Sequence, residues 1–142
     1  MPKKIELLPG HFHTGNIVKC RVSNDAAYYA VVAIDGINHK IMLSGPRRGT
    51  WYDMDKIKPV VLTEKLLDTI CSKKEHTYWH FYENDSCAFI LQWGNEKKKA
   101  VWVGYFESSI GLVDIQYLHE LQNIYAVFNK SELDLSNIRI SW

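Results

Sequence analysis

Ile57-Lys58-Pro59-Val60-Val61-Leu62-Thr63-Glu64-Lys65-Leu66-Leu67 is the stretch that decides the fold, because its character changes half-way along. Ile57 to Val61 is short, β-branched and interrupted by proline, which suits a strand at a sheet edge. At Thr63 a helix begins. Its hydroxyl can accept one of the orphan amide protons of a first turn, and Leu62 and Leu67 stand at the two positions of a hydrophobic staple. Leu66, Leu67 and Ile70 then give a buried stripe, and the helix is predicted to end between Ser72 and Lys74. The stretch divides a single domain, 1–142, into a β subunit over 15–61 and a mixed subunit over 62–142.

Upstream, Asn16 to Ser23 alternates with period two, and Tyr28 to Ile34 is a near-continuous β-prone run. Asp35-Gly36 is the strongest hairpin turn signal in the chain, with Ile37 to Leu43 as the returning strand. Ser44-Gly45-Pro46-Arg47-Arg48-Gly49 reads as a loop and Trp51-Tyr52 as a further short strand. So many short strands in so short a stretch predict a small, strongly bent, SH3-like β-barrel unit. Downstream, Tyr78–Glu83, Cys87–Trp93 and Ala100–Phe106 predict a three-stranded antiparallel meander. Asp114 is placed as the cap of a last helix, Ile115 to about Asn129. Its Leu118, Leu121, Ile124, Tyr125 and Phe128 fall at three- and four-residue steps, so it should pack on the meander. The tail from Ser131 to Trp142 reads as an edge strand or extended segment. The fold class expected is therefore α+β.

The 142 residues suffice for a core that needs no metal or disulfide. Cys20, Cys71 and Cys87 are odd in number and form no close pair, which fits a reducing compartment. No apolar run approaches the ~20 residues that span a bilayer, and no apolar h-region follows Met1-Pro2-Lys3-Lys4. No membrane role and a cytoplasmic location are expected. The formal net charge of +1 excludes a strongly cationic, non-specific nucleic-acid binder. Five Trp and eight Tyr are more informative, because both residues favour binding surfaces as well as cores.

The order of features resembles a family. Gly15-Asn16-Ile17-Val18 opens the first strand, the 57–67 stretch follows, and then an aromatic-rich meander. Ile115-Gln116-Tyr117-Leu118-His119-Glu120-Leu121-Gln122-Asn123-Ile124-Tyr125 leads to Ser131-Glu132-Leu133-Asp134-Leu135. From about residue 15 to 135 this is similar to a group of small proteins of Bacteroidetes bacteria and their phages and prophages. Its last helix reads Tyr-Val-His-Gln-Leu-Gln-Asn-Leu-Tyr-Phe-Ala-Leu-Thr-Gly. Glu120 stands here in place of the group's Gln, and Asn129-Lys130 in place of Thr-Gly. The 45–49 loop and the Lys97–Lys99 tip are not features of the group. The resemblance implies a bacterial host cytoplasm and a phage or mobile-element setting; it supplies no catalytic residues.

Cys71, His76, His80 and Cys87 have poor spacing for zinc. On one strand the two histidines would stand ~13 Å apart, so no metal site is assigned; His11 and His13 are weaker still. Cys20 or Cys87 with a histidine lacks an orienting third group. No nucleophile elbow, phosphate-cradling loop or paired-carboxylate motif occurs. Asp53 and Asp55 beside Lys56 and Lys58 read as solvated charge. His119 reads as a helix histidine that packs and bonds, with Tyr117 and Tyr125 as packing rings. No catalytic residue and no cofactor are assigned.

What remains are cations beside rings: Arg47 and Arg48 before Trp51 and Tyr52, and Lys97, Lys98 and Lys99 between Trp93 and Trp102. Such cations grip phosphates or acidic partners, and rings stack on bases or fill apolar pockets. The binding residues expected are Arg47, Arg48, Trp51, Tyr52, Lys97, Lys98, Lys99 and Trp102. Joined to the setting that the resemblance implies, the leading expectation is a non-enzymatic accessory protein. It would inhibit a host defence system by binding a host protein or a ribonucleoprotein complex, protein or RNA, as an anti-CRISPR protein does. The alternatives are a sequestering binder of a small signalling nucleotide and a low-turnover enzyme.

Overall fold

The structure is a computed structural model that describes residues 9–21, 27–75, 78–82, 88–94, 99–104 and 112–142. Among the described residues the fold is α+β, with mostly antiparallel sheets and two α-helices. Two compact units form: Met1–Val60 together with Arg139–Trp142, and Val61–Ile138. The four C-terminal residues, expected within the mixed subunit, thus belong to the first unit.

In the first unit, alternation along Ile17–Cys20 (β1) and Tyr28–Asp35 (β2) turns Val18, Cys20, Tyr29 and Val31 inward. Lys40–Leu43 (β3), Trp51–Asp53 (β4) and Ile57–Pro59 (β5) complete the sheet, in the order β4-β3-β2-β1-β5. Phe12, Ile41, Leu43 and Ile57 close the core. The strands do not close into the expected barrel: among the described residues no ladder joins β4 to β5, and the sheet is open. The β2–β3 turn also differs from the two-residue hairpin expected. Asp35 pairs with Lys40, leaving four residues between them. The Asp35 carboxylate accepts from the Ile37 and Asn38 amides at 3.1 and 3.0 Å, and from Asn38 Nδ2 at 2.8 Å. His39, at φ 55, takes the left-handed position instead of Gly36.

The second unit opens as the sequence predicts. Thr63 caps Glu64–Ile70 (α1), its Oγ1 accepting from the Leu66 amide at 3.1 Å, and Leu62 and Leu67 are both buried. The helix ends earlier than expected, because the Ser72 amide donates to the His80 carbonyl. Lys73–Glu75 (β6) is consequently a strand, followed by Tyr78–Tyr82 (β7), Ala88–Gly94 (β8), Lys99–Gly104 (β9) and Leu112–Ile115 (β10). The meander has five strands in chain order, where three were expected. Asp114 pairs with Val101 inside β10 and does not cap a helix. The last helix, Leu118–Asn129 (α2), starts after Tyr117. There the Glu120 carboxylate accepts from the Tyr117 and Gln116 amides at 3.0 and 3.2 Å. Trp79, Phe81 and Leu91 give the meander a buried face, and Tyr125 of α2 meets Phe81 edge-on at 6.5 Å. No helix among the described residues is long and apolar enough to cross a membrane.

Candidate functional site

The site grows from a mismatch in strand length. β2 has eight residues and β3 only four, so β3 pairs only the second half of β2. The first half is covered by Ile140–Ser141 (β11), parallel, with Ile140 opposite Tyr28 and Ser141 opposite Tyr29. Ser44 stands where one neighbour gives way to the other. Its hydroxyl accepts from the Ala30 amide at 2.9 Å and donates to the Ser141 carbonyl. The chain must leave the sheet here, and Gly45 allows it: at φ +97 its Cα lies against the Tyr29 ring and Ser141. The Arg48 amide then donates to the Gly45 carbonyl at 3.0 Å, and the Thr50 amide to the Arg47 carbonyl at 3.1 Å. Pro46 holds the first turn at its second residue, and Gly49, φ +101, supplies the left-handed third position of the second. These overlapping turns carry Arg47 and Arg48 into solvent.

Below the loop lies a cavity of about 160 Å³ lined by Cys20, Tyr29, Leu43, Ser44, Pro46, Arg47 and Tyr52. Cys20, Tyr29, Leu43 and Ser44 are buried and form its floor; Pro46 and Arg47 are exposed and Tyr52 half-buried, and these form its mouth. Among the described residues neither Arg47 nor Arg48 has an ion-pair or hydrogen-bond partner for its guanidinium. Trp51 is 42% exposed on β4. Asp53, by contrast, meets Lys40 across the β3–β4 ladder at 3.0 Å, a solvated pair of little energetic weight.

A second polar cluster lies in the second unit. The Trp79 indole donates to Asp68 Oδ1 at 2.8 Å, and Lys74 reaches the same oxygen at 3.1 Å while its ammonium stands 5.3 Å from the indole centroid. The indole hydrogen bond and then Lys74 hold the Asp68 carboxyl below its ordinary value of 3.8. Burial, then the Asp68 charge, pushes the Cys71 thiol above its ordinary 9.0, so the weakly nucleophilic thiol form prevails at neutral pH. The cluster joins α1 to the start of the meander and ties down a buried tryptophan.

Of the expected binding residues, the structure brings Arg47 and Tyr52 to one cavity and leaves Arg48 and Trp51 exposed beside them in the chain. Lys97 and Lys98 lie outside the described residues. Lys99 and Trp102 are placed by register alone, opposite Gly94 and Leu91. Sequence reasoning missed Cys20, Tyr29, Leu43, Ser44 and Pro46. The signal that could have found them is Ser44-Gly45-Pro46, a small polar residue, a glycine and a proline at the end of a strand. His119 is buried, stacked on Tyr117 at 5.7 Å and 12°. No group of three or more potential metal ligands converges among the described residues; His76 and Cys87 of the zinc candidate lie outside them. No protein-family model matches this chain, and no curated protein and no solved structure matches it.

Proposed function

We propose that this chain is a non-enzymatic binding protein whose 44–53 segment engages a macromolecular partner. The observation that carries the reading is the exposed Arg47 lining a cavity with two tyrosine rings, without a partner among the described residues, next to Arg48 and the exposed Trp51. Exposed arginine beside exposed aromatic rings is the composition of interface anchors. The partner is a protein or RNA component of a bacterial host defence system, in the cytoplasm of a cell carrying a phage or mobile element. That part of the reading is supported by the resemblance of the 115–125 segment to phage and prophage proteins, which bear on setting rather than chemistry. The alternative, a sequestering binder of a small signalling nucleotide, draws on the same rings and Arg47. It is disfavoured by a cavity below the ~300 Å³ at which ligand-enclosing sites begin.

Capture from host lysate, with and without nuclease, tests the reading. The Arg47→Ala/Arg48→Ala double variant is expected to lose the captured partner while keeping its thermal midpoint, because both residues are exposed. For RNA, log affinity should fall linearly with log salt; for a protein held by rim charges the dependence is shallower. Unchanged capture by the double variant at low and physiological salt would remove this loop from the interface.

A further inference from the structure

The cavity below Arg47, about 160 Å³, is close to the ~150 Å³ apolar cavity that holds one benzene ring. Its chemistry is divided by depth. Cys20, Leu43 and the Tyr29 ring give the buried floor apolar surface beside the Ser44 hydroxyl. Of the hydroxyls that line the cavity, on Ser44 and on the Tyr29 and Tyr52 rings, that of Ser44 already accepts from the Ala30 amide and donates its proton to the Ser141 carbonyl. A site that reads a nucleobase edge needs several convergent polar groups, and with Ser44 engaged in the sheet this floor favours filling over reading. At the mouth the charge is wholly positive: Arg47 lines the cavity, Arg48 follows, and among the described residues neither guanidinium is neutralised.

From size, depth and charge together, we infer that the cavity receives a single aromatic side chain from an acidic peptide segment of the partner. The ring sits on Cys20, Leu43 and Tyr29 beneath Pro46, and a carboxylate flanking it in the peptide is gripped by Arg47. This deepens the binding role assigned to the 44–53 segment and rests on it, by making the partner a protein with an exposed acidic–aromatic motif. Ring contact with Tyr29 and Tyr52 supplies the offset or edge-on geometry that aromatic pairs favour. The guanidinium offers a planar fork to a carboxylate.

The test uses the full chain, ¹⁵N-labelled, titrated with a pentapeptide carrying one phenylalanine between aspartates. The amides of Ser44, Gly45, Arg47, Arg48 and Tyr52 should shift together. Replacing the peptide's phenylalanine by alanine, or its aspartates by lysines, should weaken binding about tenfold or more, and Arg47→Ala should do the same. Cys20→Leu fills the floor and should abolish the shifts while Arg47 remains. Should that variant fold poorly, Tyr52→Ala at the half-buried mouth removes one wall, with the same expected direction. Uridine monophosphate binding at these amides as tightly as the peptide would overturn the proposal in favour of a nucleotide. So would a peptide affinity indifferent to both Arg47→Ala and the cavity variants. Loss of host-partner capture in the arginine double variant, together with full capture by Cys20→Leu and Tyr52→Ala, would sink the cavity's role and leave the loop's intact. Peptide binding that depends on the cavity, together with undiminished capture by the arginine variant, would leave the cavity a peptide site and overturn its use by the host partner.

Discussion

A methyl group added at residue 45 would lie 2.9 Å from Ser141 Oγ and 3.0 Å from the Tyr29 ring, on a backbone at φ +97. Gly49 shares the left-handed backbone, φ +101, but has open space around it. The two glycines therefore separate backbone strain from close approach. Gly49→Ala should destabilise by about 1 kcal/mol, the cost of the conformation alone. Gly45→Ala should cost more, about 2–3 kcal/mol, as Ser141 or Tyr29 is displaced. Urea titrations of both variants check this, and equal costs would mean that the contact with β11 contributes nothing. Asp68 offers a second test, through pH. Its folded pKa lies below 3.8, so the carboxylate's bonds to Trp79 and Lys74 stabilise the fold fully above the unfolded value and are lost as pH falls through the folded one. Asp68→Asn should lower the melting temperature near neutral pH, and its difference from wild type should shrink below about pH 4. A difference independent of pH would assign the effect to shape rather than charge.

Among the elements, α2 shows how a helix start can be misplaced by a good local signal. Asp114 followed by apolar periodicity reads as a cap, yet Asp114 and Ile115 are held in β10 by pairing with Val101 and Ala100. The functioning cap is the Glu120 carboxylate, reaching back to the Gln116 and Tyr117 amides. Glu120→Ala should cost about 0.5–2 kcal/mol in a denaturant titration. Glu120→Gln should be close to neutral, since an amide oxygen accepts the same bonds. A glutamine as damaging as alanine would show that charge at the helix start matters more than the hydrogen bond. The α1 cap was legible because Thr63, Leu62 and Leu67 signal within one turn. Strand β6 was not, since Lys73-Lys74-Glu75 carries no apolar alternation and is a strand only because β7 lies beside it.

At the scale of the whole molecule, the residues that pack the last helix and those that form the candidate site lie in different units. Leu118, His119, Leu121 and Tyr125 are buried packing groups of the second unit, while the cavity belongs entirely to the first. Removing Arg139–Trp142 should loosen that site, because β11 covers the first half of β2 and accepts the Ser44 proton. Hydrogen exchange at the Ala30 and Ser44 amides should speed up in the truncated chain; unchanged exchange would show that β11 is dispensable. By itself the sequence determined the α+β class, the change of character at Thr63, the periodic face of α2 and the pairing of cations with rings in the 47–52 segment. All of these are local: caps act within a turn, and burial periodicity repeats every two or 3.6 residues. Only the tertiary structure decided that the first sheet stays open, that the meander has five strands, and that residues 140–141 return to Tyr28 and Tyr29. The cavity floor belongs to the same class, since Cys20, Tyr29 and Leu43 sit on three strands. Such pairings depend on which distant segment satisfies a row of backbone amides and carbonyls, and nothing in the composition of either segment records that choice.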